Sequence, residues 1–249
     1  MSRLFAFGCS FTNYRWSTWA DCLAPEFDYF KNWGQSGAGN QFIFNSVMEC
    51  DQRYNFATND TVIVCWTDVM REDYYTVRWQ THGNMVNNKI YNKEYIAQVS
   101  ERGKLIKDLA YIKATKTLLE SKSDVNWKFI SMCDITHNNL WADDPISATD
   151  VTELYRNVVD AIMPSYRKVL RPLGWGGPYP GWCEQNRNGD PHPNPNEHLQ
   201  YLDTILPGWV TKQETRVKIH EETNLLEENK YKLENHKLRR SGLSTVTRL

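Results

Sequence analysis

The sequence predicts an α/β fold: a three-layer α/β/α sandwich around a mostly parallel central sheet, followed by a C-terminal helical extension. Three observations carry this. Short apolar runs at 3–7, 61–66 and 127–133 alternate with longer segments of helical periodicity, as βα units wound into a parallel sheet require. The run Thr61-Val62-Ile63-Val64-Cys65-Trp66 is β-branched and nearly continuous, which suits a central strand buried on both faces. Small-residue turns punctuate the pattern at Gly8-Cys9-Ser10, Gly34–Asn40 and Pro207-Gly208.

Each element has its own justification. Residues 3–7 form the first apolar run, and residues 14–23 have helical character. Ser10 sits between them, either capping that helix or presenting its hydroxyl at the carboxyl end of a strand, where open α/β sheets place their sites. Backbone N–H groups at a helix start would there receive negative charge. Residues 27–32 alternate enough for a second strand, and Phe42, Ile43, Val47 and Met48 give residues 41–55 a helical spacing. Residues 68–88, with Arg71, Tyr74, Tyr75, Trp79 and His82, lack a regular pattern and read as a long decorated loop or lid. Residues 92–121 predict a helical region broken near Gly103, and residues 127–133 the next strand. A loop is expected over 134–148, then a helix over 151–169 interrupted at Pro164. Residues 173–195 are rich in Gly, Pro and Trp. Asn194 as cap and Pro195 as first residue open a last core helix whose apolar face is Leu199, Leu202, Ile205 and Leu206.

Beyond Trp209 the character changes. Residues 212–240 are densely charged, with Ile219, Leu226 and Leu233 seven apart but polar residues between them. This predicts a solvated helix that contacts a partner or the chain's own body, not a coiled coil. The expected division is therefore 1–208 and 209–249, with a basic segment at 237–240 and a flexible end.

Composition excludes several classes. With 249 residues, 41% hydrophobic and 24% charged, the chain can bury a core without staples. A net charge of −1 gives no drive towards nucleic acid or anionic membrane. The six cysteines are scattered without a CxxC pair and read as reduced, buried thiols, neither a disulfide frame nor a zinc site. No apolar run is long enough to span a bilayer, and no signal peptide opens the sequence. The expectation is a protein made in a cytoplasm that leaves, if at all, by a route such as lysis. No spacing matches a metal site, and the turn at 34–39 lacks the lysine of a phosphate loop, so no cofactor is expected.

Chemistry is suggested by order. Gly8-Cys9-Ser10-Phe11, then Asn32-Trp33-Gly34-Gln35-Ser36-Gly37, then Asp190-Pro191-His192-Pro193-Asn194 follow one another along the chain. This set resembles the SGNH (GDSL-type) hydrolases over residues 3 to about 206, most closely a divergent subset seen in tailed bacteriophages. Gly8-Cys9-Ser10-Phe11 is similar to the nucleophile block Gly-Asp-Ser-Leu, with Cys9 for Asp and Phe11 for Leu. The second segment matches the block whose final Gly, here Gly37, donates a backbone N–H to an oxyanion. The third supplies the acid and base. Two departures stand out. The family usually has its Asp three residues before His, whereas Asp190 is two before His192. The family's Gly-x-Asn-Asp block is Cys65-Trp66-Thr67-Asp68 here, so Thr67 stands where an oxyanion-donating Asn is usual.

The resemblance implies the SGNH form of a flavodoxin-like fold and a serine esterase. Its catalytic residues would be Ser10, Asp190 and His192, with the N–H groups of Ser10 and Gly37 and the side chains of Asn40 or Thr67 at the oxyanion. Asp134 and His137 have the usual Asp-x-x-His spacing and form a second candidate pair. His198 reads as a surface or capping residue, Cys9 as a buried thiol, and His82 as a loop residue. Trp66, Tyr74, Tyr75, Trp79, Trp175, Tyr179 and Trp182 fall in segments expected to ring the site. Of these, Trp66, Tyr75, Trp79 and Trp182 are the candidate substrate contacts, since flat rings suit sugar faces and acyl chains. An ester-bearing glycan or small molecule is the expected substrate. A competing expectation is a virion-associated structural or host-surface-binding protein that keeps the fold without turnover, docking through 209–249.

Overall fold

The computed structural model describes residues 1–86, 90–136, 149–177 and 190–229. Its central sheet is built from β1 (Arg3–Phe7), β2 (Tyr29–Asn32), β3 (Asp60–Trp66) and β6 (Asn126–Ser131), in the order β2-β1-β3-β6 and all parallel. A bridge between Phe129 and Ile162 extends the sheet on the far side of β6. The chain leaves β1 outwards to β2 and returns to β3 on the other side. The carboxyl ends of β1 and β3 thus flank the switch point, where open α/β sheets bind ligands. Every residue of β3 is buried, as its apolar run predicts.

Helices cover both faces. α2 (Asn40–Tyr54) packs with α4 (Glu101–Ser121), while α8 (Pro195–Ile205) packs with α1 (Trp19–Leu23), α7 (Tyr166–Leu170) and α9 (Gln213–Glu228). The shorter α3 (Lys93–Gln98), α5 (Thr149–Leu154) and α6 (Arg156–Val159) complete the described helices. The break before α4 falls at Ser100, whose hydroxyl accepts from Gly103 N; Gly103 itself lies inside the helix.

Two expectations change. Residues 71–84 are not an irregular loop: β4 (Arg71–Tyr75) and β5 (Trp79–Asn84) form an antiparallel hairpin. A register shift between Arg71 and Asp73 disrupts the alternation that would have announced it. The helix after β1 starts at Trp19, not near residue 14, because Thr18 and Asp21 form a capping box there. The charged C-terminal helix, expected to contact a partner or the chain's own body, lies against the body. Ile219 and Leu226 of α9 are buried, Glu222 accepts from Ser17 N (3.0 Å), and Thr223 Oγ1 accepts from Asn196 N (3.1 Å). A boundary after residue 208 therefore does not detach α9, whose sparse apolar positions suffice because they meet α1, α8 and Trp16.

Candidate active site

The first site turn follows β1. Thr12 N and Asn13 N both donate to Cys9 O (2.9 and 3.1 Å), closing a tight turn around Ser10. Position 8 accepts no side chain, because a Cβ there would lie 2.1 Å from Thr12 Oγ1. The second turn is bound to the first: Gln35 N donates to Gly8 O (3.0 Å), Asn13 Nδ2 to Gly34 O (2.9 Å) and Asn32 Nδ2 to Thr12 O (2.7 Å). Ser10 is not a helix cap, since Thr18 caps α1. Its hydroxyl faces a histidine instead.

That histidine comes from the segment before α8. Asn194 accepts from Glu197 N and Glu197 returns a bond to Asn194 N, a capping box with Pro195 in the first helical turn. Trp16 Nε1 donates to Pro193 O (2.7 Å), fixing the approach. Asp190 Oδ1 then accepts from both His192 N (3.0 Å) and His192 Nδ1 (2.8 Å). His192 Nε2 lies 2.8 Å from Ser10 Oγ. With Nδ1–H given to the carboxylate, Nε2 is the acceptor and Ser10 the donor. The two-residue spacing works because Asp190 makes an Asx-type turn that folds His192 back over its own carboxylate.

The other carboxylate oxygen is also held. Tyr14 OH donates to Asp190 Oδ2 (2.7 Å), and the Arg15 guanidinium pairs with the same oxygen. The Tyr14 ring stacks on His192 with centroids 3.9 Å apart and planes 18° from parallel. Burial pushes the Asp190 carboxyl up, but the bonds from His192 and Tyr14 outweigh it and hold the group well below the usual carboxylate range. Burial lowers the His192 pKa against the pull of Asp190, and the nearby Arg71 and Arg15 cations lower it further. The imidazole is therefore neutral at neutral pH, as a proton acceptor must be.

The oxyanion candidates separate into two groups. Gly37 has φ +76°, and a Cβ on it would lie 2.5 Å from Thr81 O, so only glycine fits. The hairpin clasps this turn. Gly83 N donates to Gly37 O (2.9 Å), Gln35 Nε2 to Thr81 Oγ1 (2.8 Å), and the Asp73 carboxylate accepts from Gly39 N and Phe42 N (2.9 Å each) at the start of α2. The side chains of Asn40 and Thr67 are spent elsewhere. Asn40 Nδ2 donates to Thr67 O (3.0 Å) and Asp108 Oδ2 (2.7 Å), and Asn40 Oδ1 accepts from Thr67 N (2.8 Å). Thr67 Oγ1 donates to Met132 Sδ (3.7 Å). Both side chains are buried, Asn40 tying α2 to α4 and to the end of β3 and Thr67 facing Met132, which corrects their expected place at the oxyanion.

The aromatic expectations divide similarly. Trp66 is fully buried and packs edge-on against Phe129 (5.5 Å), so it is a core residue. Trp175 is buried against Phe11 (6.0 Å). Tyr75 is 63% exposed and meets the partly buried Trp79 edge-on (5.5 Å) across the hairpin. Tyr74 OH lies 3.2 Å from His82 Nε2. His198 is no surface residue: it faces the core, with Nδ1 2.8 Å from Tyr166 OH. Trp182, Tyr179 and His137 lie outside the described residues, and Cys9 is buried. Among the described residues no helix is long and apolar enough to cross a membrane.

Tyr14, Arg15, Asp73 and Asp108 were not singled out as site residues from the sequence. Tyr14 meets a partner 176 positions away, a pairing no local signal encodes.

No family model matches the chain, and no curated protein matches it. Solved structures similar to it include a member of the lipolytic protein G-D-S-L family from Veillonella parvula. That match is 12% identical, covers 82% of this chain and 97% of the other, and has a TM-score of 0.43. A psychrotrophic esterase from a Pseudoalteromonas species is 11% identical, with 82% and 96% covered and a TM-score of 0.42. An acetylxylan esterase from Geobacillus stearothermophilus is 15% identical, with 85% and 97% covered and a TM-score of 0.41.

Proposed function

We propose that this chain is a serine ester hydrolase. One observation carries the reading: an unbroken hydrogen-bonded chain from Ser10 Oγ through His192 to Asp190, with 2.8 Å at both links, at the switch point of a parallel sheet. Ser10 Oγ attacks the ester carbonyl, and the carbonyl π pair moves onto oxygen. His192 Nε2 takes the hydroxyl proton and returns it to the leaving alcohol, while Asp190 fixes the tautomer and balances the imidazolium. Water then releases the acyl group by the same steps in reverse. The backbone N–H groups of Ser10 and Gly37 hold the oxyanion. With Asn40 and Thr67 engaged elsewhere, a third donor from those side chains is absent, and one such donor is worth about 10²–10³ in kcat. Modest turnover follows.

For substrate we propose an acyl ester, such as an O-acetyl group, carried on a glycan or small molecule. Tyr75 and Trp79, on the hairpin whose Thr81 and Gly83 clasp the Gly37 turn, support this by offering flat apolar area. A second reading, a bacteriophage particle protein that keeps the fold for binding without turnover, is favoured by the same engaged Asn40 and Thr67. A chromogenic acetyl ester assay with Ser10→Ala as control separates the two. The esterase reading expects turnover that falls at least a thousandfold in the variant and labelling of Ser10 by a fluorophosphonate. Equal rates in both proteins would sink it.

A further inference from the structure

The ring of Tyr14 lies flat against the His192 imidazole, and its hydroxyl reaches Asp190. We infer that Tyr14 is a positioning residue for the acid–base pair: its ring supports the imidazolium that His192 becomes, and its hydroxyl holds the Asp190 carboxylate in register. The inference rests on the proposed esterase chemistry for its rate consequence, but the contacts stand without it.

The geometry assigns both tasks to one side chain. The ring lies 3.9 Å from the imidazole and within 18° of parallel, placing the negative π face against the group that gains charge when Ser10 gives up its proton. The hydroxyl, 2.7 Å from Asp190 Oδ2, occupies the oxygen that His192 leaves unused. Tyr14 is itself anchored. Its ring meets Trp16 edge-on at 4.7 Å, and Trp16 is buried with Leu226 of α9 and donates to Pro193 O. The Arg15 guanidinium lies 5.4 Å above the Tyr14 ring and 5.0 Å above Trp16 while pairing with Asp190. Burial and the Asp190 bond push the Tyr14 phenol up, so it donates throughout the working range. A structural packing residue would need neither a parallel face on the base nor a bond to the acid.

The two tasks separate by substitution. Among the described residues, the charged and titratable groups around His192 include Asp190, Arg15 and Tyr14, with Arg71 from β4 and Ser10 from the first turn. Tyr14→Phe keeps the face and loses the hydroxyl; Asp190, less stabilised, pulls harder on the proton, so the His192 midpoint moves up. Tyr14→Leu loses both, so comparison with Tyr14→Phe isolates the face: the midpoint moves down relative to Phe. At pH 8 kcat falls about tenfold relative to Phe, within the range of a desolvated ring–cation contact.

The test is an NMR titration of the His192 imidazole, assigned by its loss in His192→Gln, in the full chain and both variants, with ester turnover measured alongside. Midpoints in the order Phe above wild type and Leu below Phe support the inference. A Phe midpoint equal to wild type overturns the hydroxyl's task, and equal Leu and Phe midpoints overturn the ring's. If Tyr14→Leu does not fold, Tyr14→Met replaces it. Shifted midpoints without wild-type ester turnover would retain Tyr14 and reject the esterase reading. Turnover with unmoved midpoints would do the reverse.

Discussion

Replacing Asn40 with alanine asks whether that amide builds the site or takes part in its chemistry. The side chain makes three buried bonds, to Thr67 N (2.8 Å), Thr67 O (3.0 Å) and Asp108 Oδ2 (2.7 Å). Each buried bond contributes ~1 kcal/mol net, and truncation also leaves Thr67 and Asp108 groups unsatisfied at ~1–3 kcal/mol apiece. Partial relaxation and water entry offset some of this, leaving a loss of ~4 kcal/mol, a large part of an ordinary domain's stability. At about 2–4 °C per kcal/mol for a chain of this size, Tm falls by about 8–16 °C. Thermal unfolding by circular dichroism reads the first number, and ester turnover per folded molecule well below Tm reads the second. A structural Asn40 predicts the Tm loss with less than about a tenfold change in kcat. An unchanged Tm with a hundredfold or greater fall in kcat, the signature of a lost oxyanion donor, would refute the assignment.

Two other changes probe the frame around the site. Burial pushes the Asp108 carboxyl up to about 7, against the Asn40 bond and the Lys107 and Lys104 cations. Because the folded pKa exceeds the unfolded value of about 3.9, the folded chain binds this proton more tightly, and stability falls as pH rises from about 4 to about 7. Asp108→Asn should therefore raise Tm at pH 8 and leave it nearly unchanged at pH 4; an equal gain at both would refute the cause. Leu226 is 1% exposed against Trp16, so Leu226→Ala should cost ~2–4 kcal/mol and lower Tm by at least about 4 °C. An unmoved Tm would detach α9 from the body.

What the sequence made legible was local. β3 announces itself through an unbroken β-branched run, and α8 through Asn194, Pro195 and Glu197 acting in the order a helix start demands. The hairpin was illegible because its stability is not local. Its β4 residues are mostly charged or aromatic, and what holds it is Asp73 on the start of α2 and Thr81 on the Gly37 turn. Residues 14–18 read as helix from composition, yet Tyr14 and Trp16 are drawn into contacts with Asp190 and Pro193 that a helix there would forgo. Trp66 misled because an aromatic at a strand end faces either the site or the core, and composition does not say which. His198 misled likewise: polar by type, it sits on the inward face of α8, where Tyr166 satisfies one ring nitrogen.

The two-residue spacing of Asp190 and His192 shapes the hydrogen bonding around the carboxylate. With the base three positions after the acid, one bond can shape the turn and a separate one can orient the imidazole. With two, both bonds fall on Asp190 Oδ1, which accepts the His192 backbone N–H and its Nδ1–H together. That leaves Oδ2 on the far side of the carboxylate, buried and requiring partners, since an unpaired anionic oxygen is costly away from water. Tyr14 and Arg15 meet this need from the turn that follows Ser10. The Ser10 segment thus completes the hydrogen bonding of Asp190, and the close Asp190–His192 spacing near the end of the chain is met by two side chains near its beginning. The coupling also explains why residues 14–18 stay irregular. A helix beginning at residue 14 would commit that backbone to its own ladder and turn Tyr14 away from His192, so the delayed start of α1 at Trp19 belongs to the site as much as to the fold.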